Sequence, residues 1–244
     1  MPRDQIMNRR LLLPSLSLLI IYFGTSVNFV GQAKISPATK QVLTQMDHAS
    51  STLKAISADI KQTKVTVIVN DISEKSGKLF FKNHSNKRTL KLEYKHPLKR
   101  TLLFEKGRIR ILEPTIKRYQ EFNTKNVGNS SAFQLFWFGQ STKEIQKNYY
   151  VTLIREEVIK EKLTSLLELL PKSEKIKSMF SKIKLWIDHQ NWIPIKIKLI
   201  EASQDHLTTS LTNIKINPKL SEKIFRMKVP PDYDRIEQKL SSLK

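Results

Sequence analysis

Residues 182–230 read KIKLWIDHQNWIPIKIKLIEASQDHLTTSLTNIKINPKLSEKIFRMKVP. Ile183, Leu185 and Ile187 alternate with Lys182, Lys184, Trp186 and Asp188. Ile193, Ile195, Ile197 and Leu199 alternate with Lys196 and Lys198, and Leu207, Thr209 and Leu211 repeat the period after Gln204-Asp205. A period of two marks strands with one apolar and one solvated face. The links are short, so each strand pairs antiparallel with its neighbour. The result is a sheet that is greasy on one side only, and what covers that side becomes the functional question.

Working outward, the same period recurs upstream. A long strand runs from Ala58 through Val69 and is punctuated by Asn70-Asp71 and Ser76-Gly77. Further strands are expected at Lys78–Lys82, Thr89–Lys95, Leu98–Glu105, Arg108–Leu112 and Lys117–Phe122, with Lys106-Gly107 as a tight turn. Pro97 and Pro114 fall at strand edges, where proline is tolerated. Val127-Gly128-Asn129-Ser130-Ser131 breaks the pattern, and Ala132–Phe138 is short and very aromatic. Ser141–Lys147 reads as a short helix, and strands resume at Tyr149–Glu156 and Leu163–Leu170. The second of these has helical propensity but is bounded by Pro171-Lys172-Ser173.

Ahead of the strands, Ser36-Pro37 supplies an N-cap and a first-turn proline. Val42, Met46, Ala49, Leu53 and Ile56 then recur at helical spacing, giving one helix over Pro37–Ala55 with an apolar face that needs a surface to lie on. The expected fold is α+β and mostly β. It is an incomplete, half-open antiparallel β-barrel of about eleven strands, covered by the N-terminal helix and a short helical insertion. No Gly/Ser-rich or Pro-rich linker divides residues 34–244.

The first 33 residues are set apart as a secretory signal. Arg3, Arg9 and Arg10 form a basic start, Leu11 to Phe23 is an apolar run, and Gly31-Gln32-Ala33 places small residues at a cleavage site near Ala33. The chain has no cysteine, so it carries neither disulfides nor an N-terminal lipid of its own. Export without disulfides suits a periplasm. The formal charge is +21, and removal of a leader with three arginines and one aspartate leaves +19. Such a field attracts polyanions. For an exported chain the candidates are anionic lipid surfaces and phosphate-bearing glycolipids rather than nucleic acid, for which no recognition motif is present. A lysine-rich solvated sheet face explains the charge equally well.

The residues for chemistry are sparse. The five histidines, His48, His84, His96, His189 and His206, show no helix-borne zinc spacing. Six glycines form no phosphate loop, and no Gly-x-Ser-x-Gly elbow occurs. Asp188-His189 falls in a hairpin turn, where turn geometry explains the aspartate. The reading is a protein that is not an enzyme and has no metal or cofactor. Its helix and aromatic insertion either complete a packed core or roof a ligand cavity.

Several segments, in order, carry a family resemblance. They are Gly77-Lys78-Leu79-Phe80-Phe81-Lys82, Gly128-Asn129 followed by Phe133 and Leu135, and Leu167-Glu168-Leu169-Leu170-Pro171-Lys172-Ser173. Ile183–Asp188, Pro194, Leu211–Asn217, Phe225 and Val229-Pro230-Pro231 complete the series. From about Ser36 to Tyr233 the chain resembles the LolA-type periplasmic carriers of outer-membrane lipoproteins, in the LolA-like branch. The resemblance implies an unclosed barrel under a helical lid, with acyl chains held between them. It implies partners as well: lipidated proteins or other lipids, an inner-membrane ABC-type releasing complex and an outer-membrane acceptor. The function implied is a soluble periplasmic carrier that shuttles lipoproteins from inner to outer membrane. The alternative is a basic envelope protein that binds another lipid or an anionic membrane surface without such transport.

By the same resemblance, Val42, Met46, Leu53 and Ile56 face the cavity from the lid. Phe80 or Phe81, Leu90, Leu92, Leu103 or Phe104, Ile111, Phe133 and Phe136 line it, with Phe80 and Phe104 taken as the inward members of their pairs. One β-bulge inverts such a choice. Family members place an arginine just after the lysine of the second strand, and it ties the lid shut. Here Lys82 is followed by Asn83-His84, and Arg88 is the candidate substitute.

Overall fold

The computed structural model describes residues 35–84, 87–105, 107–123, 138 and 141–239. Ser36 is extended and its side chain accepts a hydrogen bond from Thr39 N at 3.2 Å, while Pro37 occupies the first helical position. The serine satisfies one of the free amides of the first turn, and the proline has no amide to satisfy. The helix they open, α1 (Pro37–Thr52), ends short of Ala55. Leu53 leaves helical space at ψ 111°, and Ala55 already belongs to β1 (Ala55–Thr66). The apolar stripe is therefore divided. Val42 and Met46 are on the helix, Leu53 caps it, and Ile56 stands in a strand, where its β-branched side chain is favoured. Ile56 is thus corrected from a lid residue to a sheet residue.

β1 turns back into β2 (Asp71–His84), followed by β3 (Lys87–His96), β4 (Arg100–Glu105), β5 (Arg108–Glu113) and β6 (Arg118–Asn123). Gly107 makes the β4–β5 turn at φ 77°, a region open to glycine. Ser76-Gly77 does not interrupt the chain as expected; it lies inside β2, at a register shift against β3. The second half comprises α2 (Thr142–Asn148), β7 (Tyr149–Ile159), β8 (Lys162–Pro171) and the single-turn helix α3 (Glu174–Lys177). β9 (Lys182–Asp188), β10 (Pro194–Ile200), β11 (His206–Ile216) and β12 (Asp234–Lys239) follow.

Among the described residues, twelve strands form one sheet, ordered β12-β6-β5-β4-β3-β2-β1-β11-β10-β9-β8-β7. Every pairing is antiparallel except β12 with β6, which is parallel. Among the described residues β12 and β7 are each hydrogen-bonded on one side only, so the sheet is not closed. This is the expected mostly-β architecture, an open barrel with a helical cover, with one strand more than anticipated. The extra strand, β12, begins just past Tyr233.

The inner face of the sheet and the apolar face of α1 make one core. Ile56, Leu79, Phe81, Leu90, Leu169, Leu185 and Ile187 of the sheet are at most 1% exposed, and Val42, Leu43 and Met46 of α1 belong to the same cluster. The outer face carries Lys184, Lys196 and Lys198. Lys184 stands directly opposite Lys198, and the Lys196 ammonium sits 4.5 Å from the centre of the Trp186 ring. Part of the outer face is itself covered. The segment between β11 and β12 crosses it, and Lys91 Nζ donates to Ile224 O at 2.6 Å while Lys82 pairs with Glu222. Leu103, which stands opposite Lys91, and Phe225 are buried on that side.

Candidate functional site

The site is the junction of α1 with the inner face of the sheet. α1 turns Thr39, Val42, Leu43 and Met46 inward, and all four are buried. Leu43, absent from the expected stripe, widens it to the roughly 100° arc of a core-facing helix. Thr39 is a polar residue at 1% exposure, and its hydroxyl accepts the amide of Leu153 in β7 at 3.0 Å. That bond ties the start of the helix to the edge strand.

Three further ties hold the cover. Asp47 lies on α1 beside the start of α2, where its carboxylate accepts Thr142 N at 2.7 Å and Thr142 Oγ1 at 2.5 Å. At the far end, Asn83 N donates to Lys54 O at 2.8 Å. The Asn217 carboxamide oxygen accepts Lys54 N at 2.7 Å and Ala55 N at 3.1 Å, and its amino group donates to Thr52 O at 3.2 Å. Asn83 occupies the place where the resemblance leads one to look for a latch arginine. It fastens the helix exit through its backbone, with its side chain 3.5 Å from Leu53 O. Arg88 stands opposite Asn83 in β3 and makes no ion pair among the described residues. The sequence reading missed Asn83 and Asn217. The only signal was an asparagine at each strand end, where its side chain can satisfy backbone groups.

Of the expected lining residues, Leu90, Leu92 and Phe104 lie in the inner core, and half-buried Ile111 faces the same side through its partner Leu102. Phe80 does not. The alternation of β2 sends Leu79 and Phe81 inward and Phe80 to the outer face, beside Lys78 and Lys82. Phe81 is therefore the inward member of that pair. Phe133 and Phe136 lie outside the described residues. Phe138 is described: it is buried, and its ring centre lies 5.7 Å from that of Phe81, tilted by 48°. The end of the aromatic segment is thus packed against the inner face.

Two cavities are lined by described residues, and α1 contributes to neither. One, of about 250 Å³, lies at the helix exit and is lined by Lys54, Lys82, Asn83, His84, Asn217 and Leu220 among others. The other, of about 450 Å³, is a groove on the outer face lined by Asp59, Lys61, Lys78, Lys95, Lys160 and Thr212 among others. In this groove, hydrogen bonds from Lys78 and Asn213 hold the Asp59 carboxyl below the usual carboxylate range. Lys61 pairs with Glu74 at 2.8 Å. Nearby on the same face, burial, followed by Lys184 and Lys196, pushes the Lys198 ammonium below its ordinary value.

One serine–histidine contact invites a catalytic reading: Ser165 Oγ is 2.8 Å from His189 Nε2. Ser165 is fully buried, and Asp188 is occupied with its turn, accepting from Gln190 N at 3.2 Å and Asn191 Nδ2 at 3.1 Å. His189 stacks on Trp192 with ring centres 4.8 Å apart. These contacts build the β9–β10 turn, as anticipated for Asp188, and leave no accessible nucleophile there. Among the described residues no group of three or more His, Asp or Glu could hold a metal ion, and no helix is long and apolar enough to cross a membrane.

Comparison with known proteins adds the following. A family model whose description reads "Uncharacterized protein" matches residues 99–229, more than half of the chain. No curated protein matches significantly. Among solved structures, an uncharacterized conserved protein from Thermus thermophilus superposes at TM-score 0.54 and 9% identity, over 82% of this chain and 99% of that one. A crystal structure of MucB gives TM-score 0.53 at 11% identity, over 79% of this chain and 64% of that one, so this chain spans less than two thirds of MucB. A LolA superfamily protein from Nitrosomonas europaea gives TM-score 0.40 at 12% identity, over 78% of this chain and 97% of its own. At these identities the likeness is one of fold alone: an open antiparallel sheet with a helical cover.

Proposed function

We propose that this chain, which belongs to the family whose model matches residues 99–229, is a periplasmic lipid carrier, as its resemblance to LolA-type carriers implies. It takes up the acyl chains of lipidated proteins beneath α1 and shuttles them from inner to outer membrane. The observation that carries this reading is the construction of the cover. The apolar face of α1 completes the core, yet α1 is a separate element held to the rest by a few polar ties at Thr39, Asp47, Asn83 and Asn217.

The magnitudes permit exchange. Lifting Val42, Leu43 and Met46 out of the core costs about 1.5–3 kcal/mol each. The polar ties contribute about 0.5–1.5 kcal/mol each. An acyl chain of about sixteen carbons, buried in their place, returns about 0.8 kcal/mol per methylene, or about 12 kcal/mol. The two sides are of the same order, as a carrier that must both accept and release its cargo requires. Since the apolar face of α1 is buried against the sheet, uptake proceeds with displacement of α1.

The test is uptake of a fluorescent acyl probe by refolded, delipidated mature protein. Saturable enhancement at micromolar probe supports a carrier. No enhancement, with the protein folded by circular dichroism, overturns it.

A further inference from the structure

The β1–β2 hairpin ends in Val67-Ile68-Val69-Asn70-Asp71-Ile72, and every residue from 67 to 75 is exposed. Val67 is 48%, Ile68 85%, Val69 69% and Ile72 61% exposed, and Ile68 is the most exposed large apolar residue among those described. Single exposed aliphatic residues are ordinary; four gathered at one tip are not.

The tip is built and presented. Strand pairing continues to Thr66 and Asp71, Asn70 takes the left-handed turn conformation at φ 49°, and Asn70 N donates to Val67 O at 3.2 Å. Asp205 of the neighbouring β10–β11 turn accepts Val67 N at 2.8 Å. β3 ends at His96, opposite Ser76, so the hairpin runs on past it for the four residues back to Ile72, about 13 Å of strand. The projection has no covered face. A protein groove would leave one side of such a tip in water, whereas a lipid bilayer surrounds it.

The charges around the tip choose the lipid. Lys64 and Lys75 flank the hairpin and are exposed. The β3–β4 turn, at the same end of the sheet, places Leu98 at 60% exposure between exposed Lys95 and Lys99. Glu74 is engaged by Lys61, which leaves Asp71 and the Asp205 carboxylate that accepts Val67 N as the acidic groups at the tip, against Lys64, Lys75, Lys95 and Lys99. We infer that the Val67–Ile72 hairpin docks the protein on an anionic bilayer, with its aliphatic side chains in the interface and the surrounding lysines among the headgroups.

The experiment is flotation of the mature chain with large unilamellar vesicles, either neutral phosphatidylcholine alone or with about 30% phosphatidylglycerol, at low and high salt. Binding to anionic vesicles at least about tenfold above neutral ones, and weakened by salt, is expected for the unaltered chain. An Ile68→Asp/Val69→Asp double variant should keep its thermal midpoint and its acyl-probe uptake and lose vesicle binding by about tenfold. Because probe uptake is read separately, failure here does not decide the carrier reading. Absence of vesicle binding, equal binding to neutral vesicles, or undiminished binding by the double variant overturns the assignment. The last result would place the contact on the outer-face lysines.

Discussion

Asp47 of α1 receives both polar hydrogens of Thr142, the amide at 2.7 Å and the hydroxyl at 2.5 Å, and so joins the covering helix to the helix that follows the aromatic segment. Thr142 is 3% exposed, so water cannot replace the lost partner readily. Asp47→Ala should destabilise the fold by about 1–3 kcal/mol. In a chain of this size that lowers the thermal midpoint by several degrees. If α1 is the moving cover, the same variant takes up acyl probe faster; an unchanged midpoint together with an unchanged rate would remove Asp47 from the account.

Phe80 and Phe81 offer a paired test of the inward assignment. Phe81 is 1% exposed in the main core, and Phe81→Ala should cost about 3–5 kcal/mol. Phe80 is half-buried on the outer face, and Phe80→Ala should cost less than half as much. Denaturant melts of the two variants decide it, and equal losses would mean that the two faces have been misassigned.

Gly77 sits where the register of β2 shifts against β3. A Cβ there would meet Glu93 O at 1.9 Å, which backbone must move to relieve. Gly77→Ala should therefore destabilise by about 2 kcal/mol or more. A variant that melts with the parent would show that the bulge is soft.

Alkaline pH should unfold the protein through its tyrosines. Burial raises the Tyr149 phenol to about 12, and burial together with Glu121 raises Tyr119 to about 12. Burial also raises Tyr94, whose hydroxyl donates to Gln62 at 2.5 Å. The folded chain holds these protons more tightly than the unfolded chain does. Their contribution to stability is intact below about pH 10 and is lost as pH rises towards and through the folded values. Phenolate absorbance followed with circular dichroism should show three of the six tyrosines ionising only as the sheet is lost. Their ionisation near pH 10 with the fold intact would contradict the burial.

Much of the sheet was legible because lysine marks its outer face. In β9 and β10 the alternation of Ile183, Leu185 and Ile187, and of Ile197 and Leu199, with lysine matches the faces observed. The reading failed where the outer face is not solvated. Leu79-Phe80-Phe81 is apolar on both sides because the segment carrying Phe225 covers part of the outer face, and no local pattern shows that. Ile56 was misplaced because its spacing from Leu53 continues a helical stripe by coincidence across the helix end. Asn83 and Asn217 act through backbone groups brought together from distant parts of the chain, which periodicity does not encode. β12 pairs in parallel with β6 across more than a hundred residues, and its short, charged sequence carries no strand signal of its own.

The central claim is that acyl chains enter only when α1 leaves the sheet. The chain has no cysteine, so Thr39→Cys and Leu153→Cys introduce a unique pair where the Thr39 hydroxyl now meets the Leu153 amide at 3.0 Å. The measurement is acyl-probe uptake by this double variant, oxidised and then reduced. The account requires uptake to be abolished or strongly slowed in the oxidised form and restored on reduction. Equal uptake in both forms, with the disulfide verified, would show that the cover does not move and would contradict the account.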